Sequence, residues 1–226
     1  MSRWEDSAFL RRESARYLGM RTAAGEPGTR ALIDDALDVL RAAAAPRHVA
    51  QAFPLSFPAP GVCEAAGVRI DSRSLEKSLS GCGQVLFFAA TLGAPVDLCI
   101  ARAEIRHIAR AAVMQACAAA LIEAYCDDVC RTMDERARAH GYWLRPRFSP
   151  GYGDLALAFQ RPLLDVLDAP ARIGLTLTDA LVMAPVKSVS AFIGVSTLAD
   201  ASGAPDGASS ACTACPQSSS CPYRRV

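Results

Sequence analysis

Eight residues, Arg147-Phe148-Ser149-Pro150-Gly151-Tyr152-Gly153-Asp154, combine the groups that could hold a small charged ligand. A guanidinium grips a carboxylate through two parallel hydrogen bonds, which makes Arg147 the candidate for ligand capture. Pro150 fixes one backbone angle, while Gly151 and Gly153 permit left-handed or closely approaching backbone. Tyr152, between them, brings an aromatic face and a hydroxyl. Pro-Gly and Gly-Asp are also ordinary turn punctuation. The residues alone therefore leave a ligand loop and a tight surface turn both open.

Two further constellations could carry chemistry. Glu123 lies among Leu121, Ile122, Ala124 and Tyr125. An acid in that company is costly to bury unpaired, so it must meet a local Arg or face a cleft. Near the end of the chain Cys212 and Cys215 form a C-x2-C pair, and Cys221 follows. Three thiolates with no nearby His favour soft-metal chemistry, an iron–sulfur cluster first and zinc second. A fourth ligand would come from Cys82, Cys63 or an external group. The alternative is a tail whose thiols bind nothing. The six other cysteines sit among apolar or Ala-rich residues and read as small buried hydrophobes.

The motif Arg-x-x-Pro-Gly-Tyr resembles the S-adenosylmethionine-binding loop in the activation domain of cobalamin-dependent methionine synthase. Two more blocks follow the family's order. Leu121-Ile122-Glu123-Ala124 lies upstream in an Ala-rich helix. Leu177-Thr178-Asp179 with Met183-Ala184-Pro185-Val186-Lys187-Ser188-Val189-Ser190 lies downstream and is similar to L-T-E-S…M-x-P-x-x-S-V-S. The resemblance covers about Arg16 to Val195, and it implies that Glu123, Arg147, Ser149, Gly151, Tyr152 and Gly153 bind S-adenosylmethionine. Arg147 would hold the carboxylate and Glu123 the amine or sulfonium. Tyr152 would lie at the mouth, which in the family faces the corrin ring. Ser149 stands where the family usually has Ala. The family's Cys-Pro pair and polar segment after the loop are replaced here by Gly153-Asp154-Leu155. Ser188 is a secondary polar candidate on a supporting strand.

The resemblance further implies an accessory role toward a partner. No D-x-H-x-x-G stretch supplies a cobalt-ligating His, and His48, His107 and His140 are dispersed. The expected function is a stand-alone activation subunit for a cobalamin-dependent methionine synthase or related corrinoid methyltransferase. It would support reductive remethylation of cob(II)alamin held by the partner, and would not suffice for the full reaction alone. A cluster in the tail would relay the electron. Two alternatives stay open: a non-catalytic S-adenosylmethionine-binding regulator or corrinoid-protein chaperone whose tail holds a structural metal, and a reactivation partner for a corrinoid demethylase.

With 226 residues, 51% of them hydrophobic and 21% charged, the chain can bury a sizeable core. A net charge of +1 argues against a nucleic-acid surface or a basic membrane patch. The start has no signal-peptide pattern. The apolar stretch Ala111–Cys126 is interrupted by Gln115 and Glu123 and reads as too short to span a bilayer, so a cytoplasmic setting is expected.

The elements that must position these residues read as α+β: a twisted, mainly antiparallel sheet packed with long helices. Helices are expected at 8–18, 29–44, 72–80, 94–140 with a break near Ala103, and 155–167. Met114, Ala118, Leu121, Tyr125, Val129 and Met133 form an apolar stripe on the long one. Strands are expected at 50–57, irregular at Pro54, and at 67–71, 84–90, 173–177 and 188–195. Residues 1–197 read as the ligand-binding domain, 198–211 as a linker and 212–226 as the Cys-rich tail.

Overall fold

In the computed structural model of the chain, residues 2–20 and 27–197 are described. The sequence expected as linker and tail lies outside them. In chain order the elements begin with helices α1 (Ser7–Tyr17) and α2 (Pro27–Ala43) and strands β1 (Arg47–Pro54), β2 (Ser56–Ala59), β3 (Val62–Ala65) and β4 (Val68–Asp71). Helix α3 (Arg73–Ser78), strand β5 (Gln84–Thr91) and helices α4 (Ala94–Arg106) and α5 (Ile108–Arg138) follow. The remainder comprises β6 (Trp143–Leu144), a 3-10 turn at Leu157–Phe159, α6 (Gln160–Val166), α7 (Ala169–Ile173), β7 (Thr176–Leu177), β8 (Met183–Ala184) and β9 (Ser188–Ser196). This is the expected mixture of antiparallel sheet and long helices.

The described residues fall into two compact units. One runs to Pro46 and resumes over Leu92–Val129; the other takes Arg47–Thr91 and the chain from Cys130 onward. In the first, α2 buries Ile33, Ala36, Leu37 and Leu40, the spacing of one helical face. Asp6 caps α1 by accepting a hydrogen bond from the Phe9 amide. The N-terminal segment is tied down by two carboxylates: Asp128 accepts from the Ser2 hydroxyl and the Arg3 and Trp4 amides at 2.6, 2.9 and 3.0 Å, and Asp127 pairs with the Arg3 guanidinium. Helix α5 is 31 residues long and also apolar enough to cross a membrane, which corrects the expectation that this stretch was too short. Of its most apolar window, 56% is buried within the fold. Met114, Ala118 and Leu121 of the expected stripe are buried, while Tyr125, Val129 and Met133 are half-buried.

The second unit is organised by an antiparallel sheet of order β1-β5-β9-β6. The continuous apolar run expected at 84–90 is its internal strand β5, paired with β1 on one side and β9 on the other. Phe87 sits opposite Phe192 of β9, their rings 4.9 Å apart edge to face, and Phe53 meets Phe87 edge-on from the β1 side at 5.0 Å. Val85, Ala89, Leu163, Leu167 and Leu175 complete that core face. Smaller antiparallel sheets, β2-β3-β4 and β7-β8, flank it.

The expected strand at 173–177 is corrected. Residues up to Ile173 form α7, started by Pro170 in its first turn and bounded by Asp168 and Gly174, both left-handed. Only Thr176–Leu177 is extended. The helix break falls at His107 (φ −151°, ψ 85°) rather than near Ala103.

Gly194 shows how closely β9 is packed. A Cβ there would lie 2.6 Å from Cys82 Sγ and 3.0 Å from both Leu79 Cδ2 and Arg145 Cγ. Gly194→Ala is expected to cost about 1–3 kcal/mol through overpacking, read as a lower urea midpoint with an unchanged m-value.

Candidate functional site

Strand β9 also positions the loop. Beyond β6 the chain keeps running alongside it: the Arg145 amide donates to Gly194 O at 2.8 Å. Phe148 and Phe192 then exchange both backbone hydrogen bonds, at 2.9 and 2.8 Å. Arg147 and Ser149 flank that bridge and are half-buried. From there the loop turns on itself. The Tyr152 amide donates to Ser149 O at 3.1 Å, and the Gly151 amide to Leu155 O at 2.8 Å. Both glycines are needed: φ is +94° at Gly151 and +56° at Gly153. At Gly153 a Cβ would also collide with Ser74, 2.5 Å from its Oγ. The tight-turn and ligand-loop readings are thus geometrically compatible.

What holds the far end was not anticipated. The Asp154 carboxylate accepts from the Ser72 hydroxyl at 2.6 Å and from the Arg73 and Ser74 amides at 2.9 and 3.0 Å. It therefore serves as a second, long-range cap on α3, whose own N-cap Ser72 accepts from the Leu75 amide. The hydrogen bond from Ser72, reinforced by the Ser74 amide, holds the Asp154 carboxyl well below the usual carboxylate range. Ser72 is followed at N3 by Leu75, so no local capping box closes this helix, and nothing in the sequence points to Asp154 as the remote partner.

Between these anchors the tip is presented outward. Tyr152 is 65% exposed, its ring edge-on to Phe148 with centroids 6.5 Å apart. Gly151 and Gly153 are exposed beside it, and Leu157 approaches within 3.3 Å of where a Gly151 Cβ would be. The loop thus brings together Arg147, Ser149, Gly151, Tyr152 and Gly153. Glu123 belongs to α5 in the first unit, where it is half-buried.

The downstream block supplies scaffold. Thr178 and Val182 close the β7–β8 hairpin, with the Thr178 amide donating to Val182 O at 2.9 Å. Ser188 donates its hydroxyl to Pro185 O at 2.7 Å. Its neighbour Ser190 is 3% exposed, and its hydroxyl is buried without a hydrogen-bond partner.

Cys212, Cys215 and Cys221 lie outside the described residues. Among the described residues no group of three potential metal ligands occurs. Of the two residues expected as a fourth ligand, Cys63 is 1% and Cys82 6% exposed. Burial, with a smaller contribution from Glu76, pushes the Cys63 thiol up to about 11. Burial also raises Cys82 against the lowering influence of Arg145. Both suit the expectation of buried small hydrophobes, as do Cys117 and Cys126; Cys99 and Cys130 are half-buried.

With this geometry in place, the chain can be set beside known structures. It superposes on a crystal structure described as the MetH reactivation domain bound to AdoHcy, with a TM-score of 0.57 and 18% sequence identity. The fold is shared. The match covers 79% of this chain and 66% of the other, so the chain spans just under two thirds of that structure's length. No protein-family model and no curated protein matches the sequence. At this identity the likeness is one of fold: antiparallel sheets and long helices.

Asp154 makes a pH test possible. Its folded pKa is depressed, so its contribution to stability is present above the unfolded carboxylate value, about 4, and disappears as pH falls through the folded value. Wild type is expected to melt above Asp154→Asn at pH 7. The gap should narrow progressively as pH falls below about 4, followed by thermal denaturation across a pH series. A gap independent of pH would contradict the charged cap.

Proposed function

We propose that this protein binds S-adenosylmethionine on the Arg147–Asp154 loop and acts as a cytoplasmic accessory subunit to a corrinoid-bearing methyltransferase of the methionine synthase type. The observation that carries the reading is the loop itself. An Arg-x-x-Pro-Gly-Tyr segment is fixed at one end by the Phe148–Phe192 bridge and at the other by Asp154, with Tyr152 outermost. The shared fold with a reactivation domain whose structure contains AdoHcy supports it. In this reading Arg147 holds the ligand's carboxylate through a two-pronged hydrogen bond. Ser149, Gly151 and Gly153 let the ligand approach the backbone, and Tyr152 lies over the donor. Glu123 is assigned the ligand's positive end by resemblance alone and is tested separately.

The reaction served would be reductive remethylation. The S-adenosylmethionine bound by this chain would give its methyl group, together with one electron from a reductant, to a corrinoid held by the partner and would leave as S-adenosylhomocysteine. This chain's residues bind and orient the methyl donor; the corrinoid and the rest of the synthase reaction belong to the partner. A cluster held by Cys212, Cys215 and Cys221 would supply one-electron chemistry.

Isothermal calorimetry with S-adenosylmethionine and S-adenosylhomocysteine tests the ligand. Wild type is expected to bind both, and Arg147→Ala to weaken each by roughly tenfold to a hundredfold, the range for a lost charge-assisted hydrogen bond. Absence of heat with wild type would leave only the fold in common. Glu123→Ala should weaken S-adenosylmethionine more than its uncharged-sulfur product if the acid meets the sulfonium.

The tail is tested independently by anaerobic purification with iron and zinc analysis and electron-paramagnetic-resonance spectra. Iron with visible absorbance, lost in a Cys212→Ala and Cys215→Ala double variant, is expected. A colourless, iron-free protein would remove the cluster from the proposal and leave the regulator or chaperone reading.

A further inference from the structure

The outer face of α4 is apolar in a way its own fold does not use. Val96, Ile100 and Ala103 supply its buried side. On the opposite side Leu98 is 57% and Ile105 86% exposed, and Ile108, just past the helix break, is 75% exposed. Ala101, also exposed, lies between them. Within the helix Leu98, Ala101 and Ile105 recur at steps of three and four, the spacing of a helix-pairing seam, and Ile108 lies beyond the break at His107. Scattered exposed apolar residues need no explanation, but a seam in register does.

The charges beside the seam are sorted. Asp97 and Glu104 lie along one flank and Arg102 along the other. We propose that this stripe pairs with the same stripe of a second copy of the chain, the two α4 helices running parallel about a two-fold axis. Parallel pairing sets Asp97 of one protomer against the partner's Arg102, five residues further along, and symmetry repeats the contact. Antiparallel pairing would instead bring the acidic flanks of both copies together. The charge pattern therefore selects both a self-complementary occupant and its direction.

The chain's own undescribed segments are poor alternatives. Positions 1, 21–26 and 198–226 contain only Met1, Leu198, Tyr223 and Val226 as large apolar residues. They cannot supply a matching seam. The contact is also small. Thirteen helical residues span about 20 Å, short of the roughly 800 Å² per partner of a standard stable interface. A dimer that dissociates in the micromolar range follows, rather than a permanent one. This inference is independent of the ligand reading.

Sedimentation velocity on the full chain from about 1 to 500 μM is the test. Wild type should shift from monomer to dimer across that range. Ile105→Glu, at a site too exposed to affect folding, should remain monomeric with an unchanged circular-dichroism spectrum. Arg102→Glu alone and Asp97→Lys alone should each weaken self-association by roughly tenfold. An equimolar mixture of those two should recover the wild-type dimer, because the parallel arrangement pairs each new charge with its opposite. A wild type that stays monomeric throughout, or a dimer indifferent to Ile105→Glu, overturns the proposal. Failure of the mixture to recover overturns the parallel arrangement.

Discussion

The ladder between β5 and β9 is the interaction on which the second unit depends. Its eight-residue antiparallel register sets Phe87 against Phe192 and Val85 against Gly194, and the same strand β9 then carries β6 and Phe148 on its other side. Because side-chain facing has period two, a one-residue slip would turn Phe192 out of the core. Gly194 would then no longer occupy the position where Cys82, Leu79 and Arg145 converge. Register on the core side is thus also register on the loop side. The position of Arg147 and Ser149, immediately either side of the Phe148 bridge, is inherited from hydrophobic packing several ångströms away.

At its other end the loop is held by electrostatics instead. A helix leaves its first amides unsatisfied, and α3, only six residues long, cannot offset that loss by packing many side chains. Asp154 meets the Arg73 and Ser74 amides while Ser72 caps locally, so one acid at the end of the loop completes a helix some eighty residues earlier. Gly153 sits between this acid and the exposed Tyr152 because any side chain there would strike Ser74. The two glycines of the motif therefore have different tasks. Gly151 turns the tip, and Gly153 lets the loop lie against α3.

Much of this scaffold was legible in the residues. The uninterrupted apolar run of β5 and the one-sided periodicity of α2 are local signals, and both describe the structure correctly. The losses share a cause. Strand β3, four residues, and β6 and β8, two residues each, are too short for alternation to register, and they exist because a neighbour pairs with them. In α7, Ile173 and the Leu175–Leu177 stretch resemble a strand. The helix is imposed by Pro170 in its first turn and by left-handed residues at both ends. Asp154 was visible only as turn punctuation, since its partners are distant in sequence. The loop's composition was legible; what anchors it was not.

That anchoring changes what the loop's chemistry can deliver. An exposed guanidinium on a freely moving turn recovers little from a carboxylate, because ordering both chain and side chain offsets most of the gain. Here the backbone on either side of Arg147 is already committed to β9, and the far end to α3. The cost of ordering is met when the protein folds, so the grip offered by Arg147 can appear in affinity and selectivity. A fold shared at 18% identity supplies no such argument by itself. The specific content of the functional reading lies in a short arginine-bearing loop held at both ends, whose exposed tip is formed by two glycines and a tyrosine.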